Sequence, residues 1–344
     1  MIKVFAITDY KGHFGSKWLS SPYRSGYDQQ KLQDYFKDYG ISIEFKRPIN
    51  IHFSKEEWGG KIVLMTSSEE PGLEYKTHIE DLAYGLEQCG AHVIPGLDLI
   101  SAHENKIRSA ILQNLKLNNS FRILDYTILG NYEELCHYLN SEQQKYPCIL
   151  KKPQGSKGTG VYLINDMKEL KQIARKISSK SKIAERLKEK IRRKKHKGYI
   201  ENSRYKDRFL LQEFVPKLQC DWKVLIYGTC IYILRRNIKS NDFRASGSGV
   251  GYAAGSEAEF PLAYLEPLYQ FFLELKVPNL SIDFGFDGKE GFIFEFQALY
   301  FGTSTQFKSK DYYKRNDGKW IVKQNEFDQE QIFVSSIAEF IQEK

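Results

Sequence analysis

Residues 281–297 read S-I-D-F-G-F-D-G-K-E-G-F-I-F-E-F-Q, a run in which two kinds of side chain alternate around a turn. The turn signal at residues 287–291 predicts a β-hairpin. Residues equidistant from the centre of this turn then face each other, which places Asp283 directly opposite Glu295. Because side chains alternate between the faces of a strand, Gln297 joins Glu295 on the same face.

The other face of this hairpin is predicted to be apolar and to face a core. Its members are Ile282, Phe284, Phe286, Phe292, Phe294 and Phe296. Two carboxylates that oppose each other across a hairpin repel unless a cation or a partner lies between them. Hard oxygen ligands suit Mg²⁺ or Mn²⁺ better than zinc. The alternative is an ordinary amphipathic hairpin with a solvated acidic face.

Length and composition indicate a folded protein of two or three subdomains. The chain has 344 residues, of which 41% are hydrophobic and 14% aromatic, enough for a substantial core. Its five cysteines include no C-x-x-C pair, so we expect reduced thiols and neither a zinc site nor a disulfide framework. No apolar run approaches the roughly 18 residues that span a bilayer. The first residues fit a buried strand and not a signal peptide, and we expect a cytoplasmic protein.

The net charge of +8 is unevenly spread. Residues 168–208 contain 17 Lys and Arg against five Asp and Glu, so the rest of the chain is net negative. One interpretation is a solvated helical insertion at about residues 175–205. The other is attraction to a polyanionic or lipid-linked acceptor. Aromatic residues are sparse in this segment, which makes nucleic acid a poor candidate partner.

Alternating strand and helix patterns predict an α/β layer with a partly parallel sheet in residues 1–100. The predicted strands are 2–7, 41–45, 61–66 and 92–94, and the predicted helices are 28–39 and 75–89. Further helices are predicted at 102–115, 132–141, 166–197, 263–275 and 330–342. Further strands are predicted at 148–150, 161–164, 209–215, 221–227 and 230–236.

Residues 151–160 read K-K-P-Q-G-S-K-G-T-G and lie between two predicted strands. Strand, glycine loop and strand together predict a hairpin flap, whereas a Walker loop runs from a strand into a helix. Taken alone, such a glycine-rich hairpin is also consistent with an ordinary surface turn.

In combination, these motifs from about residue 102 to residue 305 resemble the ATP-grasp superfamily, and the branch of ribosomal-protein glutamate ligases fits best. The resemblance implies an ATP-grasp fold of α+β subdomains, preceded by a Rossmann-like α/β domain. The implied domains are residues 1–100, a small ATP-grasp subdomain at 101–208, and a C-terminal subdomain with the metal site at 209–344.

By this resemblance, a strand lysine and the glycine flap contact the phosphates of ATP, and the lysine is Lys151, with Lys152 as the alternative. Backbone N–H groups of a glycine loop approach phosphate oxygens closely, and an ammonium group supplies a point charge. A hinge after the next long strand reads adenine, and Asp221 stands where the family often places an acid for the ribose. The implied nucleotide-binding residues are Lys106, Lys151, Gly155, Ser156, Lys157, Gly158, Gly160, Gln212, Glu213, Phe214, Val215 and Asp221.

The resemblance also assigns the reacting groups. Arg244 is implied to contact the reacting phosphoryl group or the substrate carboxylate, and Arg236 is a second candidate. The hairpin becomes the metal site, with Asp283, Glu295 and Gln297 as ligands. Gln297 departs from the family pattern, which has asparagine at that position.

The implied activity is a ligase that uses ATP and Mg²⁺, or Mn²⁺, to join a carboxylate and an amine through an acylphosphate. The alternatives are a phosphotransferase acting on a small acceptor, and a nucleotide-binding module without turnover. Residues 67–75 loosely resemble ATP-grasp proteins of surface-polysaccharide gene clusters, which points to a sugar-derived carboxylate as one substrate. Tyr10, Arg24 and Glu69 are candidates for the acceptor pocket. The oligomeric state cannot be read from the sequence.

Overall fold

A computed structural model describes residues 1–68, 70, 74–155, 158–179, 183–239 and 251–343. The chain divides into two compact units. Unit 1 comprises Met1–His103, Leu112–Arg122 and Leu218–Lys344, and unit 2 comprises Glu104–Ile111 and Ile123–Lys217. In the described residues, no helix is long and apolar enough to cross a membrane.

Unit 1 begins with an α/β layer, as the alternating pattern predicts, and its sheet, predicted to be partly parallel, is parallel at every pairing. Its strands are β1 (Ile2–Ile7), β2 (Ile41–Lys46), β3 (Ile62–Leu64) and β4 (His92–Ile94), in the order β2-β1-β3-β4, and all three pairings are parallel. Its helices are α1 (Gln29–Asp38), α2 (Tyr75–Gln88) and α3 (Leu97–Ala102). The carboxylate of Asp28 caps α1 by accepting hydrogen bonds from two backbone N–H groups of the first turn.

The predicted helix at 102–115 is wrong at its start. Helix α3 ends at Ala102, and a separate helix, α4, runs over Lys106–Lys116. Between them His103 is extended and Glu104 has a positive φ of 52°. A non-glycine residue in this left-handed region breaks the helical path, and nothing in the local composition signals it.

Unit 2 is built on a four-stranded antiparallel sheet in the order β5-β8-β6-β7. Its elements are β5 (Tyr126–Leu129), α5 (Tyr132–Ser141), β6 (Cys148–Lys151), β7 (Val161–Ile164), α6 (Met167–Ser178), α7 (Ile183–Lys195) and β8 (Phe209–Glu213). Apolar residues of α5 and α6, such as Leu135 and Leu170, pack on strand residues such as Phe209.

The basic segment 166–197, predicted as one helix, contains two helices in the described chain, α6 and α7.

The remainder of unit 1 is a larger antiparallel sheet with helices. Its elements are β9 (Cys220–Tyr227), β10 (Cys230–Asn237), β11 (Tyr252–Ala254), α8 (Leu265–Glu274), β12 (Asn279–Phe286), β13 (Gly291–Gln297), α9 (Ser304–Lys308), β14 (Asp311–Asn316), β15 (Lys319–Gln324) and α10 (Gln329–Gln342). The strand order is β13-β12-β9-β10-β14-β15, and β11 pairs with β10.

Each face of this sheet has its own core. Val224 and Ile282 pack with Phe271 and Leu268 of α8 on one face. On the other face, Leu225 packs in one cluster with residues of the N-terminal layer and of α10. The side-chain alternation of a strand thus lets β9 serve both cores.

Buried polar contacts also join the N-terminal layer to α10. Glu330, in the first turn of α10, is only 2% exposed. Its Oε1 accepts hydrogen bonds from Lys17 Nζ at 2.6 Å and from the backbone N–H of Asp28 at 2.9 Å. Because a buried carboxylate is tolerated only when it is paired, these two contacts stabilise one arrangement of the layer on the sheet.

The predicted register of the hairpin is confirmed at its centre. Asp283 is paired with Glu295, and Ser281 with Gln297. A β-bulge follows Asp283, so that Phe284 pairs with Ile293.

Because of the bulge, the prediction of the apolar face is wrong for two of its six residues. Phe292 and Phe294 lie on the other face of the hairpin. Ile293 lies in the core with Phe284, whereas strict alternation from Glu295 would place it on the face of Glu295 and Gln297. The rings of Phe292 and Phe294 meet edge to face at 5.0 Å, and a β-carbon on Gly285 would collide with both. One extra residue in a strand reverses the alternation beyond it.

His103, which follows α3, is a buried histidine packed against an aromatic ring. It is 1% exposed, and its ring centroid lies 4.2 Å from that of Tyr300. Within the described part of the chain, neither ring nitrogen has a hydrogen-bond partner. Burial lowers the pKa of His103 from 6.5 to about 3, and the positive charges of Lys76 and Lys223 act in the same direction. The imidazole is therefore neutral at physiological pH.

We predict that His103 makes the fold less stable in mild acid. Its pKa is lower in the folded state than in the unfolded state, so stability is lost as the pH falls below about 6.5. Between pH 7.5 and pH 5.5 the wild type should lose about 1.4 kcal/mol of unfolding free energy through this group. His103→Phe should lack this loss, as measured by urea denaturation at both pH values.

The matched control is His137→Phe, since His137 is exposed on α5. This variant should follow the wild type at both pH values. If the His103→Phe and wild-type proteins lose the same stability between the two pH values, the neutral buried state of His103 is refuted.

Candidate functional site

Charged side chains converge at one end of the large sheet of unit 1. Asp221 and Lys223 lie on β9, Arg236 on β10, Asp283 on β12 and Glu295 on β13. Strand pairing sets Asp221 beside Arg236, Lys223 beside Asp283, and Asp283 beside Glu295. We call these five residues the charged cluster. Three carboxylates and two cations make it net negative.

Arg236 is the centre of the charged cluster. Its Nε and Nη2 donate to the two carboxylate oxygens of Asp221 at 2.6 and 2.8 Å. Nη2 also lies 3.2 Å from Asp283 Oδ1, and Lys223 Nζ lies 3.2 Å from the same oxygen. The planar guanidinium group thus makes a two-pronged contact with one carboxylate while it touches a second.

The pKa values of Asp221 and Asp283 are shifted in opposite directions. Burial raises the pKa of Asp221 to about 6, against the lowering effect of Arg236. For Asp283, burial acts in the same direction, but Arg236 and Lys223 outweigh it and lower the pKa below its ordinary value. Burial acts to lower the pKa of the Arg236 guanidinium group. The negative charges of Asp283 and Asp221 outweigh this effect, so the pKa is raised. Asp283 is therefore the aspartate of the cluster that stays ionised most readily.

Glu295 and Gln297 extend the oxygen-bearing face beyond Asp283. Their strand partners are Asp283 and Ser281 respectively, and Ser281 is fully buried. Two carboxylates and an amide oxygen are hard donors, which fits Mg²⁺ or Mn²⁺ in chemical type. The described residues contain no group of three or more His, Cys, Asp and Glu arranged to hold a metal. A cation at this face would thus have to be held by two carboxylates together with the amide and other ligands.

The glycine flap of unit 2 is a β-hairpin, as the sequence predicts. Lys151 ends β6 and pairs with Val161 of β7. Gly155, Gly158 and Gly160 have φ values of 138°, 75° and 74°, which favour glycine. A β-carbon on Gly155 would also collide with the backbone of the loop. Ser156 and Lys157, which belong to the predicted phosphate contacts, lie outside the described residues.

The structure brings Lys106 to this loop. Lys106 is 8% exposed, and its Nζ donates to the carbonyl oxygen of Gly155 at 2.5 Å. Its backbone N–H donates to the carbonyl of Pro153 at 2.9 Å. Two residues that the resemblance assigned to phosphate binding from distant parts of the sequence are therefore neighbours in unit 2.

The predicted hinge begins on β8, one of the two inner strands of the same sheet. Gln212 is buried on β8, where it pairs with Tyr126 and with Ile149. Glu213 ends the strand, and its N–H donates to the carbonyl of Asp125 at 2.9 Å. Phe214 and Val215 follow, and unit 2 ends at Lys217.

Four other predicted site residues are Tyr10, Arg24, Glu69 and Arg244. Arg244, which belongs to residues 240–250, and Glu69 both lie outside the described residues. Tyr10 is exposed, and its hydroxyl donates to Glu70 Oε1 at 2.7 Å. Arg24 lies in a surface loop with a positive φ of 64°. Neither Tyr10 nor Arg24 belongs to the charged cluster.

Lys223 is the member of the charged cluster that the sequence reasoning missed. It lies two residues after Asp221, so alternation puts both side chains on one face of β9. The signal was present in the D-x-K spacing. Its meaning depended on β12 lying beside β9, which the local pattern does not show.

No family model matches the sequence, and no curated protein matches it. Solved structures do match, over almost the whole chain. The RimK domain ATP-grasp protein from Sphaerobacter thermophilus is 12% identical, with a TM-score of 0.51 and 99% of each chain covered. D-cycloserine synthetase DcsG is 13% identical, with a TM-score of 0.53 and coverage of 98% of this chain and 99% of that chain.

A third match is macrocyclase MdnC from Microcystis aeruginosa, solved with the precursor peptide MdnA. It is 9% identical, with a TM-score of 0.52 and 100% of each chain covered. The TM-scores above 0.5 over almost the whole chain establish the fold, whereas at identities this low activity and substrates must be argued from the residues. The chain therefore has the ATP-grasp fold, as its resemblance to that superfamily implied.

Proposed function

We propose that this protein is an ATP- and Mg²⁺-dependent ligase that joins a carboxylate to an amine. The observation that carries the proposal is the charged cluster, in which Asp283 opposes Glu295 on a sheet of an ATP-grasp fold. The glycine flap of unit 2 and Lys106, whose Nζ donates to the Gly155 carbonyl, support the same proposal, because N–H groups of a glycine loop and an ammonium group are suited to bind phosphate.

The chemistry requires activation of the carboxylate. A carboxylate is a poor electrophile because its charge is delocalised and its oxygen is a poor leaving group. Transfer of the γ-phosphoryl group of ATP to that oxygen gives an acylphosphate and ADP. The amine then attacks the carbonyl carbon, the C–O bond to phosphate breaks, and an amide and inorganic phosphate leave. The protein must position the reactants, neutralise charge and exclude water.

Residues of unit 2 are proposed to bind the nucleotide. Lys151 and Lys106 supply positive charge to the phosphates, and the flap supplies N–H groups from Gly155 to Gly160. Gln212 to Val215 are proposed to contact adenine through main-chain groups. Lys106 is proposed to have a second role, since its bond to the Gly155 carbonyl holds that residue in position.

Residues of unit 1 are proposed to hold the metal and the reacting groups. Asp283, Glu295 and Gln297 would bind Mg²⁺, which when bound neutralises the charge of the β- and γ-phosphates. Arg236 is held by Asp221 in one orientation and is proposed to contact the phosphoryl group or the substrate carboxylate. Arg244 is proposed to share that role.

The substrate pair is proposed at the level of chemical class. An amino acid or amine is joined to a sugar-derived or other small-molecule carboxylate. The solved structures of similar fold include a D-cycloserine synthetase and a macrocyclase bound with a precursor peptide. A substrate panel should therefore combine uronic acids, amino acids and peptides with acidic side chains.

The test of this proposal is a screen for ADP release across that panel with MgATP, followed by mass spectrometry. A ligase gives ADP, phosphate and amide in equal amounts. ADP together with a phosphorylated acceptor and no amide would identify a phosphotransferase instead. No turnover with any pair, combined with no thermal stabilisation by MgATP, would rule out both activities.

Glu295→Gln tests the metal face. The substitution keeps size and hydrogen bonding but removes one of the opposed charges, so turnover should fall by about 100-fold or more. Glu290→Gln, in the exposed turn of the same hairpin, is the matched control and should keep wild-type kcat. Glu295→Gln with near wild-type kcat would mean that the metal is bound elsewhere.

Lys106→Met tests the phosphate contact. Loss of a hydrogen bond from a charged donor costs about 1.5–3 kcal/mol, so the Kd for MgATP should rise by roughly 10- to 150-fold. Lys116→Met, exposed on the same helix α4, should leave the Kd unchanged. Isothermal titration calorimetry measures both. An unchanged Kd for Lys106→Met would remove this residue from the nucleotide site.

Arg236→Ala tests the balance of charge in the cluster. Removal of the guanidinium group leaves Asp221 and Asp283 partly buried without their main partner, which should cost about 3–5 kcal/mol of unfolding free energy. The neighbouring Arg235 pairs with the exposed Glu259, so Arg235→Ala should cost about 1 kcal/mol or less. Urea denaturation compares the two, and equal losses would contradict a central role for Arg236.

A further inference from the structure

Helix α7 of unit 2 has an unusual orientation of its apolar side. It reads I-A-E-R-L-K-E-K-I-R-R-K-K and has no buried residue. A surface helix normally turns its apolar stripe toward the core and its charges toward water. In α7 this arrangement is reversed.

The side of α7 that contacts the rest of unit 2 is polar. Glu189 Oε2 accepts hydrogen bonds from the Tyr199 hydroxyl and from the backbone N–H of Asn202, both at 2.9 Å. Glu185 pairs with Lys206 at 2.8 Å. The acidic residues of the helix are therefore used to attach it to the segment that follows.

The opposite side of α7 is apolar and faces solvent. Ile183, Leu187 and Ile191 are 77%, 56% and 58% exposed. They recur every four residues and so form one stripe along the helix. With 3.6 residues per turn, the stripe lies on the side directly away from Glu185 and Glu189.

Lysines border the stripe. Lys190 lies along one edge, Lys188 and Lys195 lie along the other, and Lys194 follows the stripe at the end of the helix. All four are exposed. When such an apolar stripe is buried in an interface, lysine side chains along its edges can extend so that their ammonium groups stay in a polar environment.

We propose that α7 binds the surface of an anionic phospholipid membrane. Ile183, Leu187 and Ile191 would insert between headgroups and acyl chains, and the bordering lysines would contact lipid phosphates. The aliphatic stripe suits the acyl chains at that boundary, and the cations along both of its edges suit the negatively charged phosphates of the headgroups. This proposal does not depend on the ligase activity.

Other occupants fit the same face less well. A second copy of α7 would bring like charges together on both edges of the stripe. Nucleic acid would meet the lysines but would leave the three aliphatic residues in water, with no aromatic ring on α7 for bases to stack on. An acidic protein groove is left as an outcome of the test.

The test is co-sedimentation of the full chain with vesicles, either of phosphatidylcholine alone or with about 30% phosphatidylglycerol. The wild type should sediment with the anionic vesicles and stay in solution with the neutral ones. One variant carries Ile183→Ser, Leu187→Ser and Ile191→Ser, and a second carries Lys188→Glu, Lys190→Glu and Lys195→Glu. Each should bind the anionic vesicles at least about tenfold more weakly.

Matched controls carry the same changes at exposed positions of unit 1. They are Ile49→Ser, Leu115→Ser and Leu262→Ser in one protein, and Lys116→Glu, Lys276→Glu and Lys323→Glu in the other. Both controls should bind like the wild type, and circular dichroism checks that every variant is folded.

Two results would overturn the proposal. If the wild type stays in solution with anionic vesicles, the face serves another occupant, such as an acidic protein. If the serine variant sediments like the wild type, binding is electrostatic only and the apolar stripe does not insert.

Discussion

Asp283 and Glu295 face each other across a pair of β-strands, and the same end of the sheet also holds Asp221. Like charges this close destabilise a fold unless cations offset them. Arg236 and Lys223 supply two positive charges at 3.2 Å from Asp283, so the five residues of the charged cluster together carry one excess negative charge. The two opposed carboxylates are the basis of our proposal that a divalent cation binds at this end of the sheet together with the phosphates of ATP.

The same strands that carry the charged cluster also carry the core. On one face of β9 the residues change from Asp221 and Lys223 to Leu225 and Tyr227, and the latter two pack with the N-terminal layer and α10. The face therefore divides into a polar end and a packed end within one strand. Rigid packing beside the cluster fixes the positions of its charges, and this is what an active site needs from its scaffold.

Much of this organisation follows from period-two alternation and turn chemistry, which is why the Asp283–Glu295 pairing and the parallel N-terminal layer could be predicted from sequence. The bulge after Asp283 could not, because phenylalanine occupies positions 292, 294 and 296 and looks apolar in either register. The break between α3 and α4 depends on the left-handed backbone of Glu104, which no glycine or proline marks. Lys223 and the role of Arg236 required knowledge of which strands are neighbours. Long-range pairing is thus the part that local pattern does not contain.

The central claim is that Asp283 and Glu295 bind the divalent metal that accompanies ATP. Crystals grown with Mn²⁺ and a non-hydrolysable ATP analogue would test it most directly, because manganese can be located by its anomalous scattering. If Asp283 and Glu295 bind the metal, an anomalous peak will lie in contact with the carboxylates of both residues. A bound nucleotide whose Mn²⁺ is ligated by other side chains, with neither of these two carboxylates in contact with the metal, would contradict it.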